Sequence, residues 1–157
     1  TLLCAPHGKE IGMIRDLAHY WDQGCIKGAI IETGNLINKR EVLVPLECLK
    51  QVAGDWFTTI ALDKLEPVAD GATDGLWTKH RGLRVVSNWG KERGVLSDLQ
   101  FTYPGGKIIA VEVSDGLLKD FIYGRLKVPY QEVANFTSSI IVIKEEWRQH
   151  DEKLSTV

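Results

Sequence analysis

The sequence repeats one short motif after 82 residues. Gly8-Lys9-Glu10-Ile11-Gly12 returns as Gly90-Lys91-Glu92-Arg93-Gly94. Across positions 8–26, eight of 19 residues are identical to their counterparts at 90–108, where chance gives roughly one identity. A period this long does not belong to a solenoid, whose units measure about 20–45 residues. The chain is therefore predicted to contain one small domain twice.

A second pair of motifs shows that the two copies differ in length. Val44-Pro45 matches Val128-Pro129 at an offset of 84, so two residues are inserted in copy two before the strand that starts at Arg125. At the beginning of copy one, Leu2-Leu3-Cys4 is the remainder of the strand that copy two contains at 82–86. We expect the first residue or two of that strand to precede Thr1.

Each copy shows the pattern of short β-strands. Residues 99–103 alternate apolar and polar, Pro104-Gly105-Gly106 supplies a turn, and an apolar run follows at 107–113. This pattern predicts a β-hairpin. Pro45 and Pro129 lack the N–H that a ladder needs and are predicted to end their strands. The other predicted strands are 13–21, 25–33, 41–44 and 56–60 in copy one, and 125–128 and 138–143 in copy two.

The predicted fold class is all-β, with two tandem small β-barrels. Closure of each barrel would keep an apolar strand such as 139–143 from forming an open edge. The two domains are predicted at 1–62 and 82–143. Residues 63–81 hold Pro67 and two Asp-Gly pairs with little periodicity, which indicates a linker. Residues 144–157 are rich in charge and are predicted to form a short C-terminal helix or tail.

Composition narrows the classes of function. A net charge of −2 argues against general nucleic-acid binding, in which many Lys and Arg side chains neutralise phosphates. No apolar run approaches the roughly 20 residues of a membrane helix, so no membrane span is expected. Cys4, Cys25 and Cys48 are odd in number and lack Cys-x-x-Cys spacing, which is typical of reduced thiols in a cytoplasmic protein.

The order of these motifs resembles that of the PRC-barrel domain. The resemblance rests on 8–17 with Val44-Pro45, and on 90–99 with Val128-Pro129. That family includes the cytoplasmic barrel of the photosynthetic reaction-centre H subunit and the C-terminal domain of the ribosome-maturation factor RimM, and it has stand-alone members in bacteria and archaea. The resemblance implies a non-catalytic barrel that binds another macromolecule.

The repeated glycines and aspartates are predicted to be structural. A P-loop needs its glycines to open a helix, whereas strands follow both copies of the motif. Gly8, Gly12, Gly90 and Gly94 are therefore assigned to turns or to close approaches of the backbone. Asp16 and Asp98 are equivalent, and separate barrels give no reason to bring them within the roughly 5–10 Å of a catalytic pair. Each is assigned to hydrogen bonds that fix its hairpin.

The candidate partner-binding segment is 114–124, where copy two carries its insertion. Leu117, Leu118, Phe121 and Ile122 are spaced so that one helical turn places them on one face, and Tyr123 follows. The segment is either a lid over the barrel end or a docking patch for a partner. Copy one has a plainer version at 33–40.

No catalytic, cofactor-binding or metal-ligating residues are predicted. His7 and the three cysteines match no zinc spacing, and copy two has other residue types at their positions. The tryptophans are expected to anchor their segments against a barrel, or against the other barrel, and the alternative for each is a role in an interface. They are Trp21, Trp56, Trp77, Trp89 and Trp147.

The predicted function is a non-catalytic protein-interaction or scaffold module with a protein partner, and self-association into a homo-oligomer stays open. One alternative is RNA or ribosome association of the RimM type. It would use the compact basic cluster formed by Lys79, His80, Arg81 and Arg84. A more remote alternative is a small metal-dependent or hydrolytic enzyme.

Overall fold

The chain folds into two compact β units. The computed structural model describes residues 2–5, 7–35, 37–68, 75–116, 121 and 124–144. The first unit comprises Thr1–Lys79 with Thr102–Lys107, and the second comprises His80–Phe101 with Ile108–Val157. Each unit has its own sheet, of seven strands in the first and six in the second. The predicted all-β class is confirmed.

The first sheet is a meander extended at both ends. Its strand order is β5-β6-β1-β2-β3-β4-β7. All its neighbours are antiparallel except β1 and β6. Two short 3₁₀ helices, Leu46–Cys48 and Leu62–Lys64, connect strands. The strands are β1 (Leu2–Cys4), β2 (Glu10–Tyr20), β3 (Cys25–Gly34), β4 (Lys39–Pro45), β5 (Leu49–Val52), β6 (Asp55–Thr58) and β7 (Glu66–Pro67).

The second sheet has the order β11-β10-β9-β8-β13-β12. Its one parallel pair is β8 with β13, and a 3₁₀ helix at Tyr130–Glu132 joins β11 to β12. A single turn of α-helix, α1 (Trp77–His80), precedes the sheet in the chain. The strands are β8 (Arg84–Ser87), β9 (Glu92–Phe101), β10 (Ile108–Ser114), β11 (Leu126–Pro129), β12 (Val133–Phe136) and β13 (Ile140–Ile143).

The two sheets share one register. Apart from β7, each strand of the first sheet has a counterpart seven numbers later, in the same order. The irregularities that interrupt the central hairpins also correspond, because Arg15 and Ser97 are both skipped in their ladders. The matched pairs are Ile14↔Ile31 with Leu96↔Val113, Leu17↔Ala29 with Leu99↔Val111, and Gly28↔Pro45 with Ala110↔Pro129.

The cores come from the central strands. In the first unit Leu3, Ile31 and Val44 are fully buried, and in the second Leu96 and Val111 are fully buried. In β9 only Leu96 and Leu99 are buried, with the skipped Ser97 between them, whereas β3 is buried at most positions. Apolar burial of this kind supplies the main driving force for each unit.

Two prolines end strands, and a part of the segment 63–81 joins the first sheet. Pro45 and Pro129 are the last residues of β4 and β11. Within the predicted linker, Glu66–Pro67 forms β7 of the first sheet. The far end of that linker adds a single bridge between Leu76 and Ala18. A two-residue strand and one bridge leave no periodicity in a sequence, which explains why the pattern indicated a linker. Of the predicted C-terminal helix or tail, 145–157 lies outside the described residues.

Candidate functional site

The first glycine of each motif closes a tight turn between two strands. Gly8 and Gly90 have φ values of +84° and +77°, a region that favours glycine. The N–H of Gly8 donates to the carbonyl of Ala5 at 2.8 Å, and that of Gly90 to Ser87 at 2.9 Å. The turn leads directly into β2 or β9. The N–H of its glycine is therefore used within the turn, and no helix begins there.

The second glycine lies where two strands come too close for a side chain. A Cβ at Gly12 would lie 2.4 Å from the carbonyl oxygen of Glu32, and one at Gly94 would lie 2.0 Å from that of Ser114. Glu32 and Ser114 are themselves equivalent at the offset of 82. The motif therefore encodes a turn followed by a close backbone approach in each unit.

Asp16 and Asp98 each accept a hydrogen bond from the next residue. The N–H of Leu17 lies 2.7 Å from Asp16 Oδ1, and the N–H of Leu99 lies 2.8 Å from Asp98 Oδ1. Both bonds fall beside the ladder irregularity. Asp16 has a further role, because it also accepts from the backbone N–H and the hydroxyl of Thr78. That contact ties the start of α1 to β2 within the first unit.

We expect Asp16→Ala to destabilise the first unit by about 2 kcal/mol, since it removes a charge-assisted pair of bonds from two segments distant in sequence. The matched Asp98→Ala change removes only the local bond and is expected to cost less than about 1 kcal/mol. Urea unfolding followed by amide signals of each unit measures both. Equal losses in the two variants would contradict the role given to Thr78.

One end of the second sheet presents two exposed aromatic side chains. The β8–β9 turn and the β10–β11 loop leave the same end, because β9 begins there and the antiparallel β10 finishes there. Trp89 in the turn is 74% exposed and Phe121 in the loop is 90% exposed. We call Trp89 and Phe121 the aromatic tip. Leu117, Leu118, Ile122 and Tyr123 lie outside the described residues.

The hydroxyl of Ser87 holds the turn that carries Trp89. Ser87 is buried, and its hydroxyl accepts hydrogen bonds from the N–H of Trp89 at 3.3 Å and of Lys91 at 3.2 Å. The first unit has Ala5 at the position of Ser87 and exposed His7 at the position of Trp89. The second unit therefore holds a large exposed ring on a constrained turn, which lowers the conformational entropy lost on binding.

The corresponding end of the first unit is shaped differently. Ile37, the counterpart of Phe121 at the offset of 84, is also 90% exposed. An open groove of about 870 Å³ lies beside the turn between β1 and β2. Its lining includes His7, Lys9, Glu10, Ile11, Ile60 and Lys64.

Glu32 is clamped by two cations at this end of the first unit. Its Oε1 lies 2.7 Å from Arg15 Nη2 and 3.1 Å from Lys39 Nζ. The hydrogen bond from Arg15, followed by that from Lys39, holds the pKa of Glu32 below its ordinary value. The second unit has Ser114 at this position, so the clamp is specific to the first unit.

Comparison with known families decides what the second unit is. The family model of the PRC-barrel domain matches residues 76–148. This part of the chain is a PRC-barrel domain. The match runs from α1 through all six strands of the second sheet, and so includes the aromatic tip. None of the curated proteins compared with the chain matches it.

The sequence does not distinguish Trp89 of the PRC-barrel domain from the other tryptophans. Trp89 does not anchor its segment, because its side chain is largely exposed, and this exposure fits the alternative of an interface residue. Trp21, Trp56 and Trp77 are half-buried, and Trp147 lies outside the described residues. The signal that identifies Trp89 is its place in the turn of the repeated motif, opposite a histidine in copy one.

The basic cluster of the PRC-barrel domain is smaller than its sequence indicates. His80 is buried, with its ring 4.8 Å from that of Phe136. Arg84 faces Glu92, with Nε 3.2 Å from Oε1. His80 therefore does not belong to a basic surface. The sequence alone indicates a basic surface here, because four basic residues lie within six positions and nothing in the sequence shows which of them is buried.

The remaining histidines, cysteines and acids form no metal-binding group in the part of the chain that the structure describes. Cys4, Cys25 and Cys48 are free thiols. Among the described helices, none has the length and hydropathy that crossing a membrane requires.

Proposed function

We propose that this chain is a non-catalytic protein-interaction or scaffold module built from two PRC-type barrels, and that the aromatic tip is its main contact surface. Assigning the first unit to the same barrel type rests on the shared register, the paired motif turns and the two strand-ending prolines. PRC-barrel domains are generally non-catalytic and often mediate interactions. The free thiols fit a reducing compartment such as the cytoplasm.

The observation that carries this proposal is the exposure of Trp89 and Phe121 at one end of a rigid sheet. Large aromatic side chains left in water beside the end of a sheet are typical anchors of protein interfaces. The partner is expected to offer an apolar pocket that takes one ring or both. RNA or ribosome association has less support, because His80 is buried and Arg84 is paired with an acid.

The proposal predicts that the double variant Trp89→Ala/Phe121→Ala loses its partner without losing its fold. Each aromatic anchor is worth about 2 kcal/mol, so the loss of both should weaken binding by about several hundredfold. Because both side chains are mostly exposed, unfolding free energy should change by less than about 0.5 kcal/mol. Quantitative affinity capture from source-cell extract, followed by titration with the purified partner, measures the loss.

Ile37→Ala is the matched control, since Ile37 has the same exposure and loop position in the first unit. The control should retain the partner at wild-type strength. A protein set captured equally by the wild type and the double variant would overturn the proposed surface. Capture of RNA that disappears at raised salt, with no specific protein, would favour the RNA alternative instead.

A further inference from the structure

The open groove of the first unit has the size of a small-molecule site. Its volume is about 870 Å³, within the roughly 300–1,000 Å³ of pockets that bind small ligands. The lining comes from the β1–β2 turn with the start of β2, from the 3₁₀ helix Leu62–Lys64 with the residues before it, and from Gly34. Every one of these residues belongs to the first unit.

Hydrogen bonds and burial fix the backbone that surrounds the groove. The hydroxyl of Thr33 donates to the carbonyl of Ile11 at 2.7 Å. After β6, the hydroxyl of the buried Thr58 accepts from the N–H of Ile60 at 3.2 Å. Leu65, which follows the 3₁₀ helix, is buried as well. The groove is therefore formed by the fold itself, which lowers the entropy that a ligand must lose on binding.

Most of the accessible surface inside the groove is apolar. Ile11, Ile60 and Leu62 all line it and are half-buried, so each leaves apolar surface in contact with water. Covering that surface with an apolar ligand chain is favourable. The PRC-barrel domain has Arg93 at the position of Ile11, so this part of the apolar lining is specific to the first unit.

Charged side chains stand beside the apolar surface. Lys9, Lys64, Glu10 and His7 line the groove, and all four are exposed. In the described part of the chain, neither Lys9 nor Lys64 forms an ion pair. With His7 neutral, two lysines and one glutamate give the lining a net charge of +1. A ligand with one negative charge complements it.

We propose that this groove binds a small amphiphilic carboxylate of the medium-chain fatty acid class. Its apolar chain lies against Ile11, Ile60 and Leu62, and its carboxylate accepts from the ammonium groups of Lys9 and Lys64. An ammonium group is a compact point charge, which suits a single carboxylate. The proposal adds a ligand of the first unit to the protein binding proposed above, and it does not depend on that protein binding.

Decanoate is the probe, used below the concentration at which it forms micelles. In chemical-shift titrations of the full chain at low salt, its effects should saturate and should be confined to amides of 7–11, 33–35 and 59–64. Decanol has the chain without the charge and should bind about tenfold more weakly, because two exposed charge contacts are lost. Acetate has the charge without the chain and should give no saturable shifts.

The variant Lys9→Ala/Lys64→Ala should weaken decanoate binding about tenfold and leave decanol binding unchanged. Ile60→Ala should weaken the binding of both ligands severalfold, because both use the apolar surface. The matched control is Lys27→Ala/Lys50→Ala, which removes two exposed lysines of the same unit outside the groove. It should bind decanoate at wild-type strength.

The absence of saturable decanoate binding would overturn the proposal. So would shifts centred outside the groove, or equal losses of affinity in the two double-lysine variants. Tighter binding of decyl phosphate than of decanoate would contradict the assignment to a carboxylate. The Trp89→Ala/Phe121→Ala variant should bind decanoate normally, so the outcome for this groove is independent of the outcome for the aromatic tip.

Discussion

Replacing Gly94 with alanine is expected to open the central hairpin of the PRC-barrel domain and to cost about 4 kcal/mol or more. The added Cβ would lie 2.0 Å from the carbonyl oxygen and 2.7 Å from the carbonyl carbon of Ser114. These are backbone atoms of β10 and cannot rotate away. Gly94 also has a φ of +126°, which adds strain for any residue with a side chain. Relief requires separating β9 from β10.

Gly90→Ala is the control within the same motif. Gly90 has a φ of +77°, but an added Cβ would meet no atom within 4 Å. Its cost should therefore be limited to backbone strain, about 1–2 kcal/mol. Denaturant unfolding followed by amide signals of β9 and β10 separates the two variants. A Gly94→Ala chain as stable as the Gly90→Ala chain would show that the strands separate freely at this point.

The correspondence between the two units could be predicted from the sequence, because particular backbone conformations require particular residue types. A turn at positive φ, a close approach and a strand end select Gly8, Gly12 and Pro45 in one copy and the same types in the other. Each requirement excludes most other residues, so the motifs persist in the sequence. The offset of 82 then gives the register of the central hairpins, including the equivalence of Glu32 with Ser114.

The sequence did not predict β7, the exposure of Trp89 or the burial of His80, because none of these features leaves a periodic pattern or requires a particular residue type. β7 has two residues, and its place is set by the edge of β4 and not by its own pattern. The exposure of Trp89 depends on the turn that Ser87 fixes, and a tryptophan in a sequence looks the same whether it faces a core or water. The burial of His80 depends on Phe136, which is 56 residues away along the chain.

Leu96→Ala should destabilise the PRC-barrel domain by about 3 kcal/mol. The side chain is fully buried and lies in the ladder opposite Val113, so truncation leaves a cavity in a close-packed sheet core. Buried Leu→Ala changes cost about 2–5 kcal/mol for this reason. Thermal unfolding with hydrogen exchange at β9 and β10 measures the change.

Ile14→Ala tests whether the two copies distribute their stability alike. Ile14 is the counterpart of Leu96 in register, but it is only half-buried, so its truncation should cost about 1–2 kcal/mol in the first unit. A shared register with unequal burial would mean that the copies kept the backbone plan and diverged in packing. If both variants lost the same stability, burial at this position would not govern the strength of the central hairpin.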